Sequence, residues 1–227
     1  MLWARFGVFG VCMLLVACSG SKQNTDVTTS GFLGDYSILE PGDEYQAALI
    51  YTNPEADWAK YDKILLQPVT IWADPKRFEG VPKEEVQMLA DGFFMVISEG
   101  LGADYEIVTE PQDNTLIAQV ALTDAQSSNP ALDTVSSLHP GARVLSEAFG
   151  IAGDKPLFVG EVSAEFKATD AMTGELLAAG VDRRVGRKGI GSFDKWNDAK
   201  AAIETWTTLT AYRLCVLRDT DCEAPET

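Results

Sequence analysis

Apolar residues recur at two different periods along the chain, and these periods predict strands and helices. Alternating apolar and polar positions predict strands over residues 63–72, 105–109, 116–123, 157–168 and 177–185. Helical spacing predicts one helix from Pro82 to a stop at Gly100 and another over residues 194–217. In this order of strands and helices most neighbouring strands are joined by hairpins, and one crossover connection is predicted. We therefore expect a single α+β domain over residues 31–227, with two main helices packed on one face of a largely antiparallel or mixed sheet.

The strand predicted over residues 157–168 has the clearest alternation of the five. We expect one of its faces to contact the helices and the other to be polar and outward. The inward set is Val162, Ala164, Phe166 and Ala168, and the outward set is Glu161, Ser163, Glu165 and Lys167. The last helix carries a stripe that we interpret as core, formed by Trp196, Ala199, Ile203, Trp206, Leu209, Tyr212 and Val216.

Two segments show neither period. Residues 31–62 carry many aromatic side chains between turn residues, which predicts an irregular segment packed over the domain or, alternatively, an exposed groove for a partner. Residues 127–156 form a long excursion that we interpret as a binding rim or a mobile loop. His139 within it is the only histidine of the chain and precedes Pro140, which favours a turn residue over a general base.

The first residues follow the order of a secretory signal, with Arg5, then an uncharged run over residues 6–17, then small polar residues. That run is about 18 Å long as a helix, short of the ~30 Å hydrocarbon core, so a spanning helix is not expected. Leu15-Val16-Ala17-Cys18 resembles the lipobox of bacterial lipoproteins, in which the cysteine is acylated and everything before it is removed. A cleaved signal without lipid is the alternative.

The lipobox resemblance implies a signal peptide over residues 1–17, lipidation of Cys18 and a flexible tether up to residue 30. Such a tether has a reach on the order of 20 Å. More than one acyl chain gives stable anchoring, so the membrane itself is the first expected partner. Ser19 follows Cys18 where an aspartate would stand for inner-membrane retention, which by similarity to enterobacterial sorting implies the outer membrane, facing the periplasm.

Charge and cysteine content narrow the function classes. The chain has 18 Lys+Arg against 34 Asp+Glu, and this acidity argues against electrostatic binding to nucleic acid.

One of the four cysteines lies in the predicted signal and Cys18 is assigned to the lipid, which leaves Cys215 and Cys222. In an oxidising compartment these two favour a disulfide over a metal or redox site.

A basic, glycine-rich stretch precedes the last helix. It contains Arg183, Arg184, Arg187 and Lys188. Cations beside the backbone amides of a helix start are suited to bind a phosphate or a carboxylate. The alternative is a mobile turn whose cations balance neighbouring acids, and the stretch matches no nucleotide-binding motif.

Several runs of sequence resemble a family of uncharacterised bacterial lipoproteins described as a domain of unknown function. They include Tyr51-Thr-Asn-Pro-Glu-Ala-Asp-Trp-Ala-Lys-Tyr61 and Asp170-Ala-Met-Thr-Gly-Glu175, together with residues 30–41, 68–69 and 121–124. The resemblance extends over nearly the whole mature chain and implies no catalytic residues. We expect neither a metal nor a cofactor.

Three functions follow as hypotheses. The first is a non-catalytic lipoprotein that binds an envelope protein or a small envelope component, as an accessory of envelope assembly or transport. The second is a structural or stress-related envelope protein without a dedicated ligand. The third is a carboxylate-based hydrolase acting on envelope glycans, which predicts two acids facing each other in a cleft.

Overall fold

Nine strands form one open mixed sheet in a computed structural model that describes residues 21–72, 83–126, 161–185 and 197–225. The strands are β1 (Lys22–Gln23), β2 (Glu40–Pro41), β3 (Leu49–Thr52), β4 (Lys63–Leu66), β5 (Thr70–Ile71), β6 (Glu106–Ile107), β7 (Thr115–Gln126), β8 (Glu161–Asp170) and β9 (Leu176–Val185). Their order across the sheet is β2-β3-β9-β8-β7-β4-β6, with β1 beside β9 and β5 beside β7.

The centre of the sheet is antiparallel and one side is parallel. Strands β7, β8 and β9 pair antiparallel over nearly their full lengths, whereas β4 and β5 run parallel to β7. Pro68 lies between β4 and β5, where no ladder bond is required of it. Parallel pairing needs a crossover, which helix α1 (Lys83–Leu101) supplies between β5 and β6. The predicted α+β class, with a mixed sheet and a single domain, is confirmed.

The two α-helices within the described ranges, α1 and α2 (Asn197–Leu217), pack against each other and against the same face of the sheet. Phe93 of α1 stacks on Trp206 of α2 with 5.5 Å between the ring centroids. The predicted core stripe of α2 holds at Ile203 and Trp206 but not at Val216, which is 38% exposed. Ten residues of α-helix place Val216 about 80° around the axis from Trp206, outside the buried stripe.

The second face of the sheet is covered as well, which differs from the polar outward face expected for β8. Glu165, in the middle of β8, is fully buried, and so is its neighbour Val181 on β9. The irregular segment after β1 covers this face: the Ser30 amide and the Tyr36 hydroxyl each donate to Glu165, at 2.6 Å. Alternation along β8 therefore indicates two buried faces with different partners.

The flexible tether expected up to residue 30 is not what the structure shows for residues 21–30. Lys22 and Gln23 form β1 and pair with Arg184 and Val185 on β9. Ser21 is 8% exposed and donates to Thr205 on α2. Strand β1 has only two residues, which is too short to show an alternation of apolar and polar positions. The polar composition of this segment therefore predicted a tether, although backbone hydrogen bonds hold it on the sheet.

Several predicted features lie outside the described residues. They are the signal peptide, Cys18, the 127–156 excursion with His139, and Arg187 and Lys188. Within the described ranges, no helix is both long and apolar enough to cross a membrane.

Candidate functional site between the last helix and the sheet

An apolar cavity of about 150 Å³ lies between the two helices and the sheet. Its floor is a row of three alanines, Ala118, Ala168 and Ala178, which are direct neighbours in register on β7, β8 and β9. Because paired residues on adjacent strands point to the same side, the three methyl groups lie side by side. Larger side chains in this row would fill the space, so the cavity follows from the strand register.

Aromatic and aliphatic side chains form the walls. Trp206 and Phe93 stand over the floor from the helices, and Phe166 lies in the next row of the sheet. The Phe166 ring crosses Gly180 so closely that a Cβ on that glycine would lie 2.5 Å from Cζ of the ring. Gly180 therefore lets the Phe166 ring lie flat against β9 and border the cavity.

One polar part of the cavity lining, called the rim below, is formed by Tyr45 and Gln46 of the β2–β3 loop and by Thr210 and Arg213 of α2. Tyr45 in this loop has a left-handed φ of 66°, a conformation that is costly for a residue with a bulky side chain, and its ring contacts Tyr212 edge-on at 5.4 Å. Arg213 belongs to this rim and has no carboxylate within ion-pair distance in the described part of the chain. The rim thus presents the Tyr45 phenol, which the Tyr212 ring supports, and a guanidinium whose charge is not neutralised by a described neighbour.

Asp182 forms hydrogen bonds to four segments next to this rim. Its Oδ1 accepts from Gln23 Nε2 at 2.7 Å and from the Ala48 amide at 2.9 Å. Its Oδ2 accepts from Arg184 Nε at 3.0 Å and from Trp206 Nε1 at 2.6 Å. The side chain is 3% exposed. One buried carboxylate therefore ties β1, the β2–β3 loop, β9 and α2 together.

A second buried acid, Asp170, joins two of the sequence runs that resemble the lipoprotein family. Its Oδ2 accepts from the Tyr61 hydroxyl at 2.8 Å and pairs with Lys60 at 3.0 Å, and its Oδ1 accepts the amides of Met172 and Thr173, both at 2.9 Å. Burial raises the pKa of Asp170, but these hydrogen bonds together outweigh burial and hold it below its usual value.

The hydrogen bond between Tyr61 and Asp170 has the opposite effect on the pKa of Tyr61. Burial first, and then the hydrogen bond to Asp170, raise the pKa of Tyr61 to about 12. Asn53 makes a comparable contact nearby, where Nδ2 donates to Glu175 at 2.8 Å. The two quoted family runs thus meet in space and hold the β8–β9 turn to the segment before β4. Sequence alone did not reveal this pairing, because the partners are more than a hundred residues apart.

Three of the buried acids, Glu165, Asp170 and Asp182, are each held by donors of the domain itself. Their contacts are those of structural groups that connect segments. Among the described residues, no cluster of three metal-ligating side chains is found.

Two of the four predicted anion-binding cations, Arg183 and Arg184, lie on opposite faces of the sheet. Arg184 points to the helix side and pairs with Asp182, whereas Arg183 points to the other side and pairs with Glu161. Consecutive strand residues face opposite sides, so these two cannot contact one anion together. Cys215 and Cys222 form a disulfide at the end of α2, with their Cα atoms 6.0 Å apart.

The fold and cavity define a class: a small α+β domain whose two helices and sheet enclose an apolar site. The family model for a protein of unknown function, DUF3313, matches residues 28–210 of the chain. Because this match spans more than half of the sequence, the chain belongs to the DUF3313 family. A search of curated proteins gives no match.

Several solved structures match the chain at low similarity. The PelC dodecamer from Paraburkholderia phytofirmans is 11% identical, with a TM-score of 0.41, over 76% of this chain and 96% of that chain. A DUF4136 family protein from Bacteroides thetaiotaomicron is 12% identical, with a TM-score of 0.35, over 75% and 96%. A protein of family DUF330 from Xanthomonas campestris is 11% identical, with a TM-score of 0.36, over 72% and 86%.

Proposed function

We propose that this protein is a lipoprotein anchored through Cys18 in the outer membrane, facing the periplasm, and that its domain binds a small apolar envelope component in the cavity without catalysing a reaction. In this role it serves as an accessory of envelope assembly or transport. The lipobox resemblance supports the proposed membrane location. The apolar cavity is the observation that supports binding of an apolar component.

The size and lining of the cavity favour an apolar group as the ligand. An engineered protein cavity of about 150 Å³ with a similar aliphatic and aromatic lining stays dry and takes up benzene. The floor alanines are partly exposed, so this space communicates with solvent. Arg213 at the rim favours a ligand whose outer end is anionic, because its guanidinium can form charge-assisted hydrogen bonds there.

Two related dyes test binding. N-phenylnaphthylamine is neutral, and anilinonaphthalene sulfonate carries the same aromatic frame with an added anion. Both should bind the mature domain with increased fluorescence, and Arg213→Gln should weaken the sulfonate and leave the neutral dye unchanged. Equal loss of both dyes, or of neither, would contradict the role of Arg213.

Filling the cavity gives a second test. Ala168→Leu should abolish binding of the neutral dye and leave the protein at least as stable, because the added carbons, worth about 0.8 kcal/mol per buried CH₂, enter existing space. Ala103→Leu adds the same atoms at an exposed position after α1 and should leave binding unchanged. Unchanged binding in Ala168→Leu would remove the cavity as the site and favour a structural protein without a dedicated ligand.

The lipid anchor at Cys18 is tested separately. The full chain expressed in a bacterium should incorporate labelled palmitate and stay in the membrane fraction after an alkaline wash, and Cys18→Ser should lose both properties. Retention of the Cys18→Ser protein in washed membranes would overturn the lipid anchor.

A further inference from the structure

The chain is fixed to the folded domain almost immediately after Cys18. Ser21 is buried and its hydroxyl donates to Thr205 of α2 at 3.2 Å. Lys22 and Gln23 pair with β9, and the Asn24 amide donates to the carbonyl of Arg183 at 2.8 Å. The Gln23 side chain extends inward and donates to Asp182 and to the carbonyl of Gln46. Residues 21–24 are therefore held by both backbone and side-chain bonds.

Covalent geometry then limits how far the domain can stand from its anchor. Three residue steps separate Cys18 from Ser21, and a fully extended chain covers at most about 11 Å over that distance. We propose that the edge formed by β1 and the Thr205 region of α2 is held at the membrane surface. This inference rests on the anchor at Cys18 in the proposed function. It implies that the domain has a fixed orientation at the membrane instead of moving freely on a tether.

The long central hairpin sets the opposite end of the domain. β8 and β9 have ten residues each, about 33 Å at ~3.3 Å per residue, and β1 pairs with the last residues of β9. The β8–β9 turn with the exposed Met172 therefore lies far from the anchored edge. The part of the rim in the β2–β3 loop lies on the near side, because Gln23 contacts Gln46. The cavity extends from there to the alanine floor, where Ala168 and Ala178 lie two residues from the turn-side ends of β8 and β9.

Fluorescence quenching by headgroup-labelled lipids measures this orientation. The acylated protein carries a bimane label at Glu204→Cys, an exposed position beside Thr205, or at Met172→Cys as the distant control. It is reconstituted in phosphatidylcholine vesicles containing a nitroxide-headgroup lipid. We expect strong quenching at position 204 and little at 172. A Gly/Ser insertion of about ten residues after Gly20 adds a reach on the order of 18 Å and should remove most of the difference.

Flotation with the vesicles separates this inference from the anchor. If the labelled proteins float and Cys18→Ser does not, the anchor holds, and equal quenching at the two positions or no effect of the insertion would overturn the orientation alone. If none of the proteins floats, the anchor fails and the orientation fails with it. The far-ultraviolet circular dichroism of each variant should match that of the unlabelled protein, which excludes unfolding as the cause of any change.

Discussion

Asp182→Asn should strongly destabilise the domain, although it changes only one heavy atom. The carboxylate accepts two hydrogen bonds on each oxygen, and all four come from different segments. An asparagine keeps one acceptor and turns the other position into a donor. In either orientation two donors lose their acceptor, at a cost of about 1–3 kcal/mol each. One orientation leaves the buried Arg184 without an acceptor, and both remove its counter-charge. Breaking a buried ion pair in this way costs about 3–5 kcal/mol in all, a figure that includes the lost hydrogen bonds.

We therefore expect Asp182→Asn to lower the free energy of unfolding by about 3–5 kcal/mol, a large share of the 5–15 kcal/mol of an ordinary domain. Urea unfolding followed by tryptophan fluorescence measures this change. Asp113→Asn, at an exposed position, is the matched control and should leave the midpoint unchanged. Adding Arg184→Met to Asp182→Asn should recover part of the loss, since it removes the unpaired charge. A loss below about 1 kcal/mol, or no recovery in the double variant, would refute this account.

Four further predictions concern other contacts that hold the fold together. Tyr61 should titrate near pH 12 by ultraviolet absorbance. Since this folded-state pKa exceeds the ordinary 10.0, the stability it confers is present below pH 10 and lost as pH rises towards 12, and Tyr61→Phe should remove that step. The pKa of Asp170 is depressed, so its stabilisation is present above pH 3.8 and lost on further acidification, and Asp170→Asn should flatten acid unfolding followed by circular dichroism. Gly100→Ala should destabilise by about 1–3 kcal/mol in urea, because its Cβ would lie 2.3 Å from a threonine methyl of α2, and Gly92→Ala, where nothing is close, should not. Reducing the Cys215–Cys222 disulfide, which closes a short loop, should lower the thermal midpoint by an amount corresponding to about 2.5 kcal/mol, and an unchanged midpoint would contradict that estimate.

The longest elements were predictable because each has its own period. Helix α1 buries apolar residues at helical spacing, among them Val86, Phe93 and Ile97, and ends one residue after the predicted stop at Gly100. The β8–β9 hairpin follows from alternation on both sides of a turn that contains Gly174, whose φ of 73° suits glycine. Such local signals need no knowledge of the partner.

The contacts made by individual polar residues were not predictable in the same way. Arg183 and Arg184 formed one basic cluster in sequence, but their strand separates them and gives each an acid of its own. β1 has two residues and no apolar pattern, so only its pairing with β9 reveals it. The cavity is likewise a property of register, because Ala118 and Ala168 become neighbours only when β7 pairs with β8.

By itself the sequence determined the class of fold, the main helices and hairpin, the cysteine pair and the lipobox resemblance at Cys18. These depend on periodicity, composition or short motifs, which act over a few residues. The tertiary structure decided which acids are buried, that residues 21–24 are bound to the sheet, and that a row of alanines leaves an apolar cavity. Those features depend on which distant segments lie side by side, and strand pairing and helix packing alone set that.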